Sequence, residues 1–263
     1  MRIAFLLVKH PPDRQSPIMP EVFRRLGELG HQVDLLYPEE DLVALADVTA
    51  RHDLYVLKSQ AEAALSVAGA LHALGARLLN PYPAAAALRD KVISTRMLQA
   101  AGLPVPATFL AGTPAALLPR LAEGPLVLKP VRGWQGRGVQ VVRTEAELRA
   151  YPADGLVFAQ RFHPPDGADL KLYGIGGRVF GVRRVWPPRT YEEKLGEPFV
   201  PDAALQEIVL RCGAALGVEL FGVDVIESGG ARWVVDMQGF PGFKGVPDAA
   251  RLLAEAIDRS ARG

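Results

Sequence analysis

The stretch "FGVDVIESGGARWVVDMQGFPGF" runs from Phe221 to Phe243 and places two apolar runs on either side of Ser228-Gly229-Gly230-Ala231. Such runs around paired glycines indicate a β-hairpin. With Gly230 at the centre of the turn, residues whose numbers sum to 460 face each other, which sets Asp224 opposite Asp236 on one face. The other face then collects Phe221, Val223, Val225, Trp233, Val235 and Met237. A turn centred between Gly229 and Gly230 would mix the acids with the apolar set, so the hydrophobic pattern selects the first register. Gln238 lies two residues past Asp236 and shares its face. Two opposed carboxylates repel, and with a carboxamide beside them they form an oxygen cluster suited to Mg²⁺, phosphate oxygens completing the octahedron. On the hairpin alone, a solvated acidic face is the alternative.

Upstream of the hairpin lie several β-rich runs in close succession: "PLVLKPV", "GVQVVR", "GLVFAQRF", "LKLYGIGG" and "RVFGVRRVW". Their spacing predicts antiparallel pairing. The first two are joined by "RGWQGRG", where Gly133, Gly136 and Gly138 let backbone amides approach a phosphate while Lys129 or Arg137 adds charge; a plain mobile hairpin tip is the alternative. A Walker loop is excluded, because no GxxxxGK[ST] opens a helix. From Ala203 to Leu216 the apolar positions Leu205, Ile208, Val209, Cys212 and Leu216 recur at helical spacing, so Cys212 reads as core rather than as a nucleophile.

The first third has a different character. Strands "RIAFLLV", "HQVDLLY", "DLYVLK" and "ARLLN" alternate with helices near Pro20–Gly30 and Gln60–Leu74, the pattern of parallel βαβ units. Val8 is followed by Lys9-His10-Pro11-Pro12 with no glycine, so the GxGxxG dinucleotide fingerprint is missing. "NPYPAAAALRDK" (Asn80 to Lys91) reads as the passage to a second module, and the next helix, about Arg89 to Ala101, closes at Gly102. The chain has 30 Lys plus Arg against 29 Asp plus Glu, a net charge of +1, so no global field recruits nucleic acid or an anionic membrane. One cysteine excludes an internal disulfide and fits a reducing, cytoplasmic setting. The opening apolar run stops at Val8, too short for a signal segment or membrane span.

Taken in order, "RDKVISTRMLQAAGLPVPATF", "PLVLKPVRGWQGRGVQVV", "VFAQRFHPPDGADLKLYGIGG" and "FGVDVIE…WVVDMQGFPGF" resemble the ATP-grasp superfamily. The branch is that of the ribosomal-protein glutamate ligases, lysine-biosynthesis carrier-protein ligases, glutathione synthetases and inositol polyphosphate kinases. The resemblance covers about residues 80–250 and implies an α/β Rossmann-like layer (1–80) followed by α+β ATP-grasp subdomains (81–155 and 156–263). It implies ATP and Mg²⁺ as cofactors. Lys91 and Lys129 match the family's phosphate lysines, Gly133, Gly136, Arg137 and Gly138 its glycine flap, and Gln160, Arg161 and Phe162 its adenine hinge. Asp166 or Asp169 stands where ribose is reached, Lys171 near the transferred phosphate, and Asp224, Asp236 and Gln238 match the metal triad. Gln238 departs from the family's usual Asn, which keeps a carbonyl ligand but moves it by about a bond length.

The implied chemistry is carboxylate–amine ligation through an acyl phosphate, with a small anionic substrate and an amine co-substrate. A small-molecule kinase is the alternative, and a nucleotide-binding module without turnover a further one. Acceptor recognition falls to the cleft beside the nucleotide, where Arg178, Arg183, Arg184 and Arg189 lie on one run. Arg183 and Arg184 are adjacent in a strand, so one of them faces the cleft, and Arg184 is the expected one. Lys9, His10 and Arg14 follow the first strand at its carboxyl end, where open α/β sheets bind ligands.

Overall fold

The computed structural model describes residues 1–9, 11, 15–133, 138–152, 155–185, 190, 193 and 195–263. Its first sheet is parallel, in the order β2-β1-β3-β4, built from β1 (Arg2–Leu6), β2 (Gln32–Leu36), β3 (Leu54–Leu57) and β4 (Leu78–Leu79). Side chains alternate along a strand, so a strand covered on both faces must be apolar throughout. Ile3, Phe5, Leu54 and Val56 enter one core, while Ala4, Leu6, Tyr55 and Leu57 enter another. α1 (Met19–Glu28) packs on the first core and α2 (Glu62–Ala73) on the second.

The passage from Asn80 is helical rather than a loose linker. α3 (Tyr82–Arg89) runs into α4 (Lys91–Ala100), separated by Asp90, whose side chain accepts from the amides of Val92 and Ile93 and so fixes where α4 begins. Asn80, 2% exposed, donates to the Leu220 carbonyl at 2.7 Å and accepts from the amides of Glu219 and Leu220, tying the first sheet to the start of the acidic hairpin.

The second sheet has the order β5-β8-β6-β7, from β5 (Thr108–Ala111), β6 (Leu126–Pro130), β7 (Gln140–Val142) and β8 (Val157–Arg161), all antiparallel. α5 (Leu118–Ala122) and α6 (Glu145–Ala150) supply Leu121 and Leu148 to its core. β8, expected to open the third module at residue 156, instead pairs within the second, because its partners β5 and β6 bury Val157 and Ala159. β5 and the two short helices were not foreseen, although Thr144 and Glu147 form a capping box with the sequence spacing that marks one.

The third sheet, β11-β10-β9-β12-β13, comprises β9 (Asp169–Ile175), β10 (Arg178–Arg184), β11 (Glu197–Phe199), β12 (Leu220–Ser228) and β13 (Ala231–Gly239). α7 (Ala203–Leu216) covers one face with α3 and α4, over Leu170, Leu172, Val223, Val225 and Met237. The C-terminal α8 (Ala249–Arg262) crosses back onto α1, so Leu252, Leu253 and Ile257 share a core with Ile3, Phe5 and Val22. That core also takes Tyr173, Ile175 and Val182 from one end of the third sheet's other face. The remaining end of that face carries the polar residues described next.

The hairpin register corrects one expectation. At its tip Ser228 pairs with Ala231, Glu227 with Arg232 and Val225 with Val234, so the turn is the two-residue Gly229-Gly230 turn, with φ of 58° and 77°. The register shifts between Asp224 and Val225, leaving Val235 as an extra residue on β13, and from there Asp224 pairs with Asp236 and Val223 with Met237. The acids' pairing stands, but the apolar face contains Val234 where Trp233 and Val235 were expected. The bulge lets a tight glycine turn coexist with an alternation that a straight ladder would invert.

Candidate active site

Asp224 lies on β12 directly between Lys171 on β9 and Asp236 on β13. Lys171, 3% exposed, donates to Asp224 Oδ2 at 3.0 Å, and Arg184 Nη2 donates to Oδ1 at 3.2 Å. Asp236 is met from the opposite side by Lys91 Nζ at 3.2 Å. Lys91 is the first residue of α4; its amide donates to the Val131 carbonyl at 3.2 Å and its ammonium also reaches the Gly133 carbonyl at 3.4 Å. The helix start thereby joins the glycine loop to the acidic hairpin.

Lys129 is the other bridge. It is 8% exposed and donates to Gln160 Oε1 at 2.7 Å and to the Val235 carbonyl at 2.9 Å. The bulge at Val235 thus presents a backbone acceptor to a lysine of the other sheet. Burial lowers the Lys129 pKa, opposed by the charges of Asp236 and Asp224 and reinforced by Lys91. Gln160 in turn donates weakly to Thr108 Oγ1 at 3.4 Å, so its side chain orients Lys129.

Asp169 stands opposite Arg184 in the β9–β10 ladder. Burial pushes its pKa up to about 6, with the negative charge of Asp224 adding to the rise and Arg184 opposing it. Further along the same face, Trp233 pairs with Ile226 and stacks on His163, ring centroids 4.1 Å apart and 18° from parallel. His163 directly follows the expected hinge, and Trp233 escaped sequence reasoning because the bulge turns it to this side.

Other expected groups lie elsewhere. The Arg161 guanidinium is spent on the carbonyls of Gly124, Pro125 and Arg120 and on Glu123, while the Phe162 amide donates to Pro125 at 3.0 Å. The Phe162 ring lies under the Arg143 guanidinium at 5.4 Å. Asp166 is exposed at the hairpin tip, where its amide donates to Glu227 and its carboxylate accepts from Gly230 at 3.5 Å. Gly138 has φ of 72° and its carbonyl accepts from Tyr151, so a positive-φ residue precedes β7. Arg183 stacks on Phe199 at 4.2 Å and Arg178 lies over Phe180 at 5.4 Å, leaving Arg184 as the member of that pair on the acids' face. Lys9 is exposed over the Tyr37 ring. His10, Arg14, Gly136, Arg137 and Arg189 lie outside the described residues. Cys212 is fully buried and its thiol is pushed up to about 12, as a core cysteine should be.

These residues suit a metal–polyphosphate complex. Lys91, Lys171 and Arg184 contact the two carboxylates and Lys129 feels the charge of both, an excess of positive charge that calls for an anion. The oxygen donors of Asp224, Asp236 and Gln238 are hard, as Mg²⁺ requires. Among the described residues, no cluster of three His, Cys, Asp or Glu side chains offers a rival metal site. Arg184 Nε and Trp233 Nε1 are buried donors with no partner among the described residues, and both sit on this face.

A family model described as the RimK-like ATP-grasp domain matches residues 88–257. The chain belongs to the RimK-like ATP-grasp family. ATP and Mg²⁺ are the cofactors of that ligase family. Among curated relatives, a probable alpha-L-glutamate ligase of Stenotrophomonas maltophilia (strain K279a) is 31% identical over 71% of this chain and 70% of its own. Another of that description, from Parasynechococcus marenigrum (strain WH8102), is 24% identical over 98% of this chain, which spans 56% of that relative's length. The RimK-like chain also shares its fold with solved structures. An ATP-grasp RimK domain protein of Sphaerobacter thermophilus superposes with a TM-score of 0.79 at 23% identity, each chain fully covered. The ATP-bound D-alanine–D-alanine ligase of Bacillus anthracis gives 0.72 at 20% identity, covering 100% of this chain and 98% of that one. No helix among the described residues is long and apolar enough to cross a membrane.

Proposed function

We propose that this RimK-like chain is an ATP-dependent carboxylate–amine ligase acting on a small anionic substrate. The single observation that carries the reading is the facing pair Asp224 and Asp236, each held by cations from different elements: Lys171 and Arg184 from β9 and β10, Lys91 from the start of α4. Such an arrangement has charge to spare for a triphosphate and acids to spare for its metal.

Bound ATP, with Mg²⁺ neutralising its phosphates, would give its γ-phosphoryl group to the substrate carboxylate, leaving ADP and an acyl phosphate, from which an amine would displace inorganic phosphate and lose a proton to give the amide. Asp224, Asp236 and Gln238 hold the metal. Lys91 and Lys129 neutralise phosphate oxygens, Lys129 aimed by Gln160 and the Val235 carbonyl. Gly133, whose carbonyl accepts from Lys91, and Gly138 are the glycines whose backbone amides would approach the phosphates. Lys171 and Arg184, which now hold Asp224, would offer their donors to the phosphoryl group being transferred, which is positioning and electrostatic work rather than covalent catalysis. The Arg161 carbonyl edge, Phe162, His163 and Trp233 flank the base, and Asp169 faces the ribose. The relatives' names make an acidic amino acid the first amine to try, and the lone buried cysteine agrees with a cytoplasmic setting.

The test incubates the protein with ATP, Mg²⁺ and pooled carboxylates, amino acids and polyols, and follows ADP release and product mass. The ligase reading expects an amide, and ¹⁸O from a labelled carboxylate appearing in inorganic phosphate. A phosphate ester would make the protein a kinase, and ATP binding without ADP release a nucleotide-binding module.

A further inference from the structure

The first sheet runs β2-β1-β3-β4, so the chain's winding reverses between β1 and β3, and open α/β sheets bind ligands at the carboxyl ends of the strands at such a point. Lys58 follows β3 there, its amide donating to the Leu6 carbonyl of β1 at 3.1 Å. Its ammonium reaches across to the acidic hairpin's exit, donating to the Phe240 carbonyl at 3.3 Å and standing 5.2 Å over the Phe240 ring. Phe240 lies two residues past Gln238 and precedes Pro241. A Cβ added at Gly222 would meet Pro241 Cγ at 3.1 Å and Lys171 Nζ at 3.3 Å. Lys58 therefore touches one side of the Phe240-Pro241 step, and Gly222 meets the same step beside Lys171.

The neighbouring acids are already engaged: Asp224 with Lys171 and Arg184, Asp236 with Lys91. Among the described residues no carboxylate lies within 4.0 Å of Lys58 Nζ. A half-buried ammonium with a carbonyl and an aromatic face as its company is short of negative charge among the described residues. Desolvation pulls its pKa down to about 8, which still leaves it mostly protonated at neutral pH. Nothing in the phosphoryl-transfer roles above employs it.

We infer that Lys58 binds a substrate carboxylate other than the one being activated, and so selects acidic substrates. Its role in turnover rests on the ligase reading, whereas carboxylate binding at Lys58 does not. The carboxylate belongs either to the amine co-substrate or to the acid substrate, and two probes separate them: L-glutamate, an amine with two carboxylates, and succinate, an acid without an amine.

The experiment titrates each probe calorimetrically into the protein saturated with Mg²⁺ and a non-hydrolysable ATP analogue. Wild type is expected to bind one of the two. Lys58→Met should weaken that binding about 30-fold or more, as loss of one partner of a desolvated charge pair does, and Lys58→Arg should recover most of it. The analogue itself should bind all three proteins within about 3-fold, which shows that the fold and nucleotide site are intact. Lys58 is a structural strut, and the inference is wrong, if Lys58→Met binds the probe as wild type does, if it loses probe and nucleotide together, or if wild type binds neither probe. Absence of an amide product in the pooled-substrate assay, with probe binding still dependent on Lys58, would instead overturn the ligase reading alone.

Discussion

Asp224 and Asp236 stand opposite each other on adjacent antiparallel strands because Val235 is an extra residue in β13. The same residue's carbonyl accepts from Lys129. One irregularity thus sets the acids' face and anchors the lysine of the opposing sheet.

Deleting Val235 should leave a regular ladder, with Val234 still opposite Val225 and Asp236 still opposite Asp224, while removing the carbonyl that accepts from Lys129. Mg²⁺-dependent ATP binding is expected to weaken about 10-fold while the far-ultraviolet circular dichroism stays close to wild type. Unchanged binding in a calorimetric titration would mean that the Val235 carbonyl does not aim Lys129.

Asp224→Asn and Asp236→Asn should both abolish turnover, with unequal effects on stability. Asp224 partners the buried Lys171 and is 25% exposed, so its loss should cost about 1–3 kcal/mol; Asp236, 35% exposed and paired to Lys91, should cost less than about 1 kcal/mol. Denaturant melts of the two variants without ligand check the order.

Gly222→Ala should hurt catalysis more than folding. The new methyl would sit 3.1 Å from Lys171 Cε and from Pro241 Cγ, displacing the ammonium that holds Asp224. Overpacking of this kind costs about 1–3 kcal/mol, whereas misplacing a charge by about 1 Å costs up to about 100-fold in rate. Steady-state kinetics beside a thermal melt separate the two effects.

Lys58 gives the pH dependence a definite sign. Its folded pKa of about 8 lies below the ordinary 10.5, so between these values the unfolded chain keeps a proton that the folded chain has released. Stability should therefore rise with pH across that window, and this contribution should be missing in Lys58→Met. Melting curves of both proteins from about pH 7 to pH 10 measure it, and binding of a carboxylate probe should weaken as pH climbs through about 8.

The α/β layer, the glycine-linked strands and the acidic hairpin were legible because each is set by local rules. Apolar runs such as Ile3–Leu6 demand burial on both faces, and the alternation around Asp224 allowed one pairing of the acids. β5, α5 and α6 escaped because their apolar positions are few and acquire meaning only when packed on β6 and β8. The tip of the hairpin was misread because periodicity counts residues and cannot see a bulge, which forms when a tight glycine turn and a fixed core face compete.

Sequence by itself determined the local elements and the donor chemistry of Asp224, Asp236 and Gln238, which follow from side-chain type and spacing, whereas the lysines at 91 and 171 were singled out by the family resemblance. Tertiary structure alone decided that α8 closes the first module's core, that Gln160 and Val235 aim Lys129, and that Lys58 meets Phe240. Those contacts join residues from about 30 to about 250 positions apart, and no periodic signal reaches so far: long-range partners are chosen by how whole faces bury together.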